Sequence, residues 1–251
     1  MQHPPDCCSG EPSAGPAEKH TAKCFLTASI GVGLTLGGTA HSSGNEFDSL
    51  AGFEEAEGSP FNDTLSGDAN ANQLFGRAGN DNLIGNDGND TLVGGDDDDS
   101  IDGGSGIDLL TYNSALNAAT NVDKLMDFTP NTDRIVLDHL VFTNLIAGAL
   151  GATQLAANAT GTAQDANDFI THNTTTGVLS YDADGNGSGA AAVQFAALTN
   201  LPAITAADFS VFQGRSAHGR RACRRPHQGG AVCAQQTRRG IRQSGDHMPS
   251  A

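Results

Sequence analysis

Residues 58–111 read GSPFNDTLS GDANANQLF GRAGNDNLI GNDGNDTLV GGDDDDSID GGSGIDLLT, which is six nonapeptides placed head to tail. Each nonapeptide begins with Gly, has Asp or Asn at its sixth place and has Leu or Ile at its eighth place. A fixed period of this kind predicts a repeat architecture in which each short unit stacks on its neighbours. Because Gly permits positive φ, the first six residues predict a tight turn, and the last three predict a short strand. Two nonapeptides therefore form one coil of 18 residues.

Stacked coils predict two inward-facing columns of aliphatic side chains. One column contains Leu65, Leu83 and Ile101, and the other contains Leu74, Leu92 and Leu110. Six aliphatic residues form a thin core for a region of this size, so we expect the repeats to need a further source of stability.

The sixth-place residues form two columns as well, Asp63, Asp81 and Asp99 in one and Asn72, Asp90 and Asp108 in the other. Like charges in adjacent turns destabilise the coil, and a hard divalent cation with oxygen ligands removes that penalty. Turn carbonyls would complete the ligand set, which favours Ca²⁺ over Zn²⁺. The predicted calcium ligands are Asp63, Gly76, Gly79, Asp81, Gly85, Gly88, Asp90, Gly94, Asp99, Gly103, Gly106 and Asp108.

The repeats do not predict sites of equal strength. The strongest are expected between Asp81 and Asp99 and between Asp90 and Asp108, and the pair of Asp63 with Asp81 comes next. Asn72 is neutral, so its site should be weaker. The fourth-place Gly is replaced in three repeats, which puts the carbonyl geometry there in doubt, at Phe61, Asn70 and Asp97. The alternative is a disordered Gly/Asp linker with solvated acidic turns, which six successive repeats in one register disfavour.

The charge of the chain is unevenly distributed. The formal net charge is −16, and residues 213–251 hold eight Arg against one acid, so residues 1–212 carry a net −23. Such an acidic body repels phosphate and anionic membranes, which argues against nucleic-acid binding by it. All five cysteines lie outside residues 25–222, so the repeats are not a disulfide scaffold.

We divide the chain into four segments. Residues 1–40 are a poorly structured N-terminal segment. Their apolar run at 25–40 is either a late signal peptide or a Gly/Thr-rich strand segment. The run is short for a membrane span. Residues 41–111 are the repeats with their lead-in, and residues 213–251 are a basic disordered tail. Residues 112–212 predict a second β unit with strands at 124–127 and 134–137, a short helix and loop at 142–153, and a hairpin of 177–181 with 190–197.

The repeats resemble the RTX calcium-binding repeats of exported Gram-negative proteins, most clearly in GRAGNDNLIGNDGNDTLVGG at 76–95. Residues 112–212 resemble the C-terminal domain of serralysin-type secreted proteases in DKLMDFTPNTDRIVLD (123–138), GVLSYDADGNGSGAAAVQFAAL (177–198) and ITAADFSVF (204–212). The resemblance implies an all-β fold, a parallel β-roll capped by antiparallel strands. It also implies export by a type I secretion apparatus without a cleaved N-terminal signal, and folding triggered by extracellular Ca²⁺.

The chain departs from the proteases of that family because it has no His-Glu pair, so a zinc-binding HExxH helix is missing. We therefore expect a secreted, non-enzymatic calcium-binding module. The alternatives are a C-terminal fragment of a secreted protease, lipase or polysaccharide-modifying enzyme, and an extracellular adhesive or matrix protein. The sequence leaves the oligomeric state open.

Two weaker patterns lie outside the repeats. Asp182, Asp184, Asn186 and Gly187 imitate the start of an EF-hand loop, but Val193 stands at the twelfth place, so the segment is either a cation site or a hairpin connection. The second pattern, whose spacing fits no compact zinc motif, is His218, Cys223, His227 and Cys233. The basic tail around it either binds nucleic acid or anionic lipid through charge or is a non-native extension.

Overall fold

Two sheets of stacked strands form the repeat region in the computed structural model of this chain. The structure describes residues 54–214, together with the backbone of four short strands at 8–9, 23–25, 33–36 and 47–50. The described elements are strands and two short 3-10 helices, Ala152–Gln154 and Ala206–Asp208. The predicted all-β class is therefore confirmed. None of the helices in these described parts is long and apolar enough to span a membrane.

Nineteen strands are described, and most are only three to six residues long. In chain order they are β1 Cys8–Ser9, β2 Lys23–Phe25, β3 Gly33–Leu36, β4 Phe47–Leu50, β5 Glu55–Glu57, β6 Thr64–Ser66, β7 Gln73–Ala78, β8 Asn82–Ile84, β9 Thr91–Asp96, β10 Ser100–Asp102, β11 Leu109–Tyr112, β12 Asp123–Leu125, β13 Arg134–Asp138, β14 Gly148–Ala149, β15 Leu155–Asn158, β16 Ile170–Asn173, β17 Val178–Tyr181, β18 Val193–Leu198 and β19 Phe209–Phe212. One sheet has the order β1-β2-β5-β7-β9-β11-β13-β19-β14. The other has the order β15-β16-β17-β18-β12-β10-β8-β6-β3-β4.

Successive coils pair in parallel and in register, which confirms the two predicted columns. In one sheet Leu65 pairs with Leu83 and Leu83 with Ile101. In the other, Leu74 pairs with Leu92 and Leu92 with Leu110. All six side chains are buried. Alternation along each strand turns the eighth place inward and leaves its two neighbours facing outward.

Residues after the last nonapeptide continue the same two sheets. Strand β12 pairs in parallel with β10, and β13 pairs in parallel with β11. Strands β18 and β19 extend the sheets further. Antiparallel pairs then follow at β14 with β19 and at β16 with β17 and β17 with β18, which confirms the antiparallel cap and its hairpin. The core at this end is aromatic, with edge-to-face contacts of Phe195 with Tyr112 and Phe142 at 5.1 and 5.2 Å.

The strands predicted at 124–127 and 134–137 correspond to β12 and β13. The short helix predicted in residues 142–153 is wrong, because that segment contains turns, the two-residue strand β14 and the start of the 3-10 helix Ala152–Gln154. Its backbone is held by local turns, such as the bond from the Leu145 amide to the Phe142 carbonyl at 3.0 Å. Most of the N-terminal segment and residues 215–251, with the His/Cys pattern of the tail, lie outside the described residues.

The aliphatic columns predict a large cost for shortening one of their members. In saturating Ca²⁺, Leu83→Ala should lower the free energy of unfolding by about 2–5 kcal/mol, because it removes buried methyl groups and leaves a cavity between coils. Ile107→Ala is the control, since Ile107 is 55% exposed, and its effect should stay within about 0.5 kcal/mol. Urea denaturation followed by circular dichroism measures both; equal losses would contradict the inward orientation of Leu83.

Candidate calcium sites

The sixth-place residues form two hydrogen-bonded ladders, in which the amide of one residue donates to the side chain one coil further on. In the first ladder, Asp63 N–H donates to Asp81 Oδ1 at 2.7 Å and Asp81 N–H to Asp99 Oδ1 at 2.8 Å. In the second ladder, Asn72 N–H donates to Asp90 Oδ1 at 2.7 Å and Asp90 N–H to Asp108 Oδ1 at 2.8 Å. All six side chains are buried. The structure therefore stacks the predicted carboxylates as the period requires.

Each ladder has one further member that the sequence analysis missed. Asp99 N–H donates to Asp123 Oδ1 at 3.1 Å, and Asp108 N–H donates to Asp133 Oδ1 at 3.2 Å. The spacing here is 24 and 25 residues instead of 18, so the repeat period fails. The sequence does contain a pattern that could have identified both residues. Residues 123–125 (DKL) and 133–135 (DRI) have the same order as the nonapeptides, an acid, then any residue, then an aliphatic residue.

Hydrogen bonding of the side-chain oxygens divides seven of the eight ladder residues, all except Asp123, into two groups. In the first group, Oδ2 is buried and has no hydrogen-bond partner, at Asp81, Asp90, Asp99 and Asp108. In the second group an amide four residues earlier donates to the side chain: Ser59 to Asp63 Oδ2 at 2.6 Å, Asp68 to Asn72 Oδ1 at 2.7 Å, and Thr129 to Asp133 Oδ2 at 2.7 Å. We call these two groups the open carboxylates and the closed ends. An open carboxylate is costly without a partner, because a buried charge needs compensation.

Backbone conformation separates the two groups. In the last four nonapeptides the second and fourth places all have positive φ, at Arg77, Gly79, Asn86, Gly88, Gly95, Asp97, Gly104 and Gly106. The corresponding places of the first two nonapeptides do not, at Ser59, Phe61, Asp68 and Asn70. Where the fourth-place Gly is replaced, Phe61 and Asn70 lack positive φ, whereas Asp97 keeps the glycine-like turn at φ 77°. Asp tolerates this region better than most residues.

First-place glycines leave room between the carboxylate and the next coil. A Cβ on Gly76 would collide with Asp81 Oδ2 and would lie 2.6 Å from the Gly94 carbonyl oxygen. Gly85 is placed in the same way between Asp90 Oδ2 and the Gly103 carbonyl oxygen. Anionic and carbonyl oxygens therefore converge at Asp81 and at Asp90, which is the donor chemistry that Ca²⁺ prefers.

Main-chain oxygens would complete the ligand set of each candidate site. Among residues 54–214, no group of three or more His, Cys, Asp or Glu side chains is arranged to hold a metal ion. Two successive ladder carboxylates with main-chain oxygens are the ligands that such a site would offer. This composition fits a hard cation and argues against zinc, which takes nitrogen and sulfur ligands in closed side-chain sets.

Burial makes the open carboxylates weak acids. Burial, together with the charges of the neighbouring carboxylates, raises the pKa of Asp81 and of Asp99 to about 8. The pKa of Asp90 rises to about 7 and that of Asp108 to about 6, again mainly through burial. Amide donors in the ladder act in the opposite direction at each position. Without a cation, these carboxyl groups are therefore partly protonated near neutral pH.

The sequence of the repeat region matches a model of a known protein family. Residues 49–83, 57–92 and 75–110 match the model described as RTX calcium-binding nonapeptide repeat (4 copies). Residues 49–110 are RTX calcium-binding repeats. RTX nonapeptide repeats bind calcium ions, and the sixth-place residues Asp63 to Asp108 lie within the matched stretch. The match ends at residue 110 and leaves Asp123 and Asp133 outside it.

Among solved structures, the chain is similar to the solution structure of the AlgE6R3 subunit from the Azotobacter vinelandii mannuronan C5-epimerase. That similarity has a TM-score of 0.37 and 23% sequence identity, and it covers 72% of this chain and 92% of that chain. Comparison with curated proteins finds no match.

The EF-hand-like segment lies in the connection between β17 and β18, away from the RTX repeats. Asp184 Oδ2 accepts hydrogen bonds from the amides of Gly189 at 2.7 Å and Ala190 at 3.1 Å. Asp182 Oδ1 accepts the Asp184 amide at 3.3 Å. These local bonds are those of a hairpin connection, and Asp184 Oδ1 is left without a partner.

Close stacking of the RTX turns predicts that Gly88→Ala costs more than the strain of its backbone alone. A Cβ there would collide with the carbonyl of Asn70 and lie 2.6 Å from its carbon, whereas a Cβ on Gly148 would meet nothing within 4 Å. Both residues have positive φ, 123° and 132°. Each variant should lose about 1–2 kcal/mol for φ, and Gly88→Ala about 1–3 kcal/mol more for overpacking. Equal denaturation midpoints in Ca²⁺ would contradict this.

The raised pKa values predict that the calcium-free fold loses stability as pH rises. The folded-state pKa of Asp81 and Asp99 is about 8 against an ordinary value of 3.8, so their protonation stabilises the calcium-free fold at low pH. That stability is lost as pH rises through the folded pKa values. In chelator, the thermal midpoint should therefore fall between about pH 5 and about pH 8.5.

Calcium binding should correspondingly release protons from the same carboxylates near neutral pH. A pH electrode in weakly buffered solution measures the release during a Ca²⁺ titration. A midpoint in chelator that rises with pH, or Ca²⁺ binding without proton release near pH 7, would contradict the assignment.

Proposed function

We propose that this chain is the calcium-triggered folding module of a secreted protein and that it has no catalytic activity of its own. The observation that carries the proposal is the set of four open carboxylates, whose buried Oδ2 atoms lack any donor. A protein that folded without a cation would place amides there, as the closed ends do. The open carboxylates therefore favour a fold that is completed by an ion.

The energetics support a switch rather than a permanent site. Extracellular calcium modules bind with dissociation constants of about 10⁻⁴–10⁻³ M, which free Ca²⁺ inside a cell does not reach. At tenfold excess over the dissociation constant, each filled site adds about 1.4 kcal/mol to stability. Several sites acting together turn a calcium difference across a membrane into a difference between unfolded and folded chain.

Export through a type I secretion apparatus accords with this behaviour. The segment between residues 25 and 222 contains no Cys, so no disulfide within it has to form after transport. Residues 1–212 carry a net −23, and mutual repulsion keeps such a chain extended when cations are scarce. Calcium outside the cell then removes the repulsion within the ladders, which makes the extracellular space the place of folding.

The proposed absence of catalysis rests on the chemistry of the polar groups. The sequence has no His-Glu pair. His172 is buried, and neither of its ring nitrogens has a hydrogen-bond partner. Burial lowers the pKa of His172, and a histidine enclosed in this way has no access to a substrate.

A calcium titration of wild type and two matched variants tests the proposal. Wild type should gain β structure by circular dichroism when millimolar Ca²⁺ replaces chelator. Asp90→Asn should raise the midpoint concentration and lose about 1.4 kcal/mol of stability for each site affected. Asp87→Asn removes the same charge from an exposed place in the same nonapeptide, and it should titrate like wild type.

Two outcomes would overturn the proposed function. One is a β signal of equal amplitude in chelator and in Ca²⁺. The other is an identical shift of the midpoint for Asp90→Asn and Asp87→Asn, because nonspecific charge and not the ladder would then govern the response.

A further inference from the structure

We infer that Asp99 and Asp123 form a calcium site at the junction between the RTX repeats and residues 112–212. Asp123 lies beyond the last nonapeptide and beyond the residues that match the family. The inference extends the proposed function, on which it rests, because it makes the calcium response include the strands that follow the repeats.

The two carboxylates stand at equivalent places in adjacent strands. Strand β12 pairs in parallel with β10, with Ser100 opposite Lys124 and Ile101 opposite Leu125. Asp99 and Asp123 directly precede these pairs, and they are 2% and 3% exposed. Asp123 Oδ1 accepts a hydrogen bond from the Asp99 amide. The side chain of Asp99 keeps Oδ2 buried without a partner. The arrangement repeats that of Asp81 with Asp99 one coil earlier.

The hydroxyl of Tyr112 is a second unpartnered oxygen in this region. Tyr112 lies on β11 in the other sheet, is 6% exposed and has no hydrogen bond at its hydroxyl. Burial raises the pKa of the Tyr112 hydroxyl, and the charges of Asp123 and Asp99 raise it further. Both carboxylates therefore act on the hydroxyl, and a buried hydroxyl left without a partner is costly. Water bound to a cation would supply the missing partner, since it can donate a hydrogen bond to the hydroxyl oxygen.

The last residues of the two ladders differ, because Asp133 accepts a local amide and Asp123 does not. Asp133 receives the Thr129 amide on Oδ2 and is a closed end. The residue four places before Asp123 is Ala119, whose amide donates instead to Asn117 Oδ1 at 3.0 Å. Among the described residues, the Asp99 amide is the donor that Asp123 has. Asp123 therefore keeps an oxygen for a cation where Asp133 does not.

Occupancy of this site couples the repeats to the rest of the sheet. Asp123 itself pairs with Ala196 in β18, and Leu125 pairs with Leu198. An ion between Asp99 and Asp123 would fix β12 against β10 and so fix the register of β18. Two carboxylates suit Ca²⁺, a hard cation that accepts irregular sets of six to eight oxygens.

Terbium luminescence tests the site, because Tb³⁺ replaces Ca²⁺ at oxygen sites and tyrosine sensitises its emission at short range. The chain has two tyrosines, Tyr112 and Tyr181, and no Trp, so Tyr181→Phe leaves Tyr112 as the one sensitiser. In this background, sensitised emission should be strong, and Asp123→Asn should lower it and bind one ion fewer by equilibrium dialysis. Asp133→Asn should retain both, since Asn72 already serves as a closed end in the same ladder.

Each outcome decides the matter. If the protein gains no β structure with Ca²⁺, the proposed function fails; if it does and Asp123→Asn binds the same number of ions with unchanged emission, only the junction site fails. Should Asp123→Asn not fold, the comparison moves to Tyr112→Phe and Tyr181→Phe with Asp123 intact. Emission from the Tyr181→Phe protein must then exceed that from Tyr112→Phe, and an equal or weaker signal overturns the site.

Discussion

Stacking buried carboxylates on one another is the constraint on which the repeat region depends. The amide of each ladder residue donates to the carboxylate one coil further on, as from Asp81 to Asp99 and from Asp90 to Asp108. This bond fixes the register of the coils, but it uses only one oxygen of each carboxylate. The other oxygen remains buried and without a donor at the four open carboxylates. The same contact that orders the coils therefore creates the need for a cation.

The ends of the ladders show how the chain limits this need. Asp63, Asn72 and Asp133 each accept a hydrogen bond from a local amide, which the open carboxylates lack at Oδ2. Closure requires the second-place residue to stay out of positive φ, which is true of Ser59 and Asp68 and not of Arg77 and Asn86. Asp63 was predicted as a ligand from its sixth place alone, and that role stays a prediction. Its position among the closed ends accords with the expectation that the first site is weaker than the next one in its ladder.

Stability is distributed unevenly along the two sheets. Across the nonapeptides, each coil contributes two aliphatic side chains to the core, such as Leu83 and Leu92. Beyond them, Phe128, Phe142, Phe195 and Phe209 are fully buried and build a larger apolar core. Large aromatic side chains bury more surface than a single Leu, so this end relies more on hydrophobic burial and less on an ion. Because both ends share the same sheets, ordering of one end supports the other.

The sequence by itself determined the period of nine, the inward columns and the sixth-place ladders, because glycine turns and strand alternation are local properties. It also located the hairpin of β17 and β18, whose strands are close in the chain. Only the tertiary structure placed Asp123 and Asp133 in the ladders, since insertions break the period there and the pairing is set by sheet continuity. It likewise decided which carboxylates are open, because Arg77, Asn86 and Asp97 have positive φ without being Gly. Periodicity could specify which oxygens stack, whereas only the folded backbone could specify which of them lack a donor.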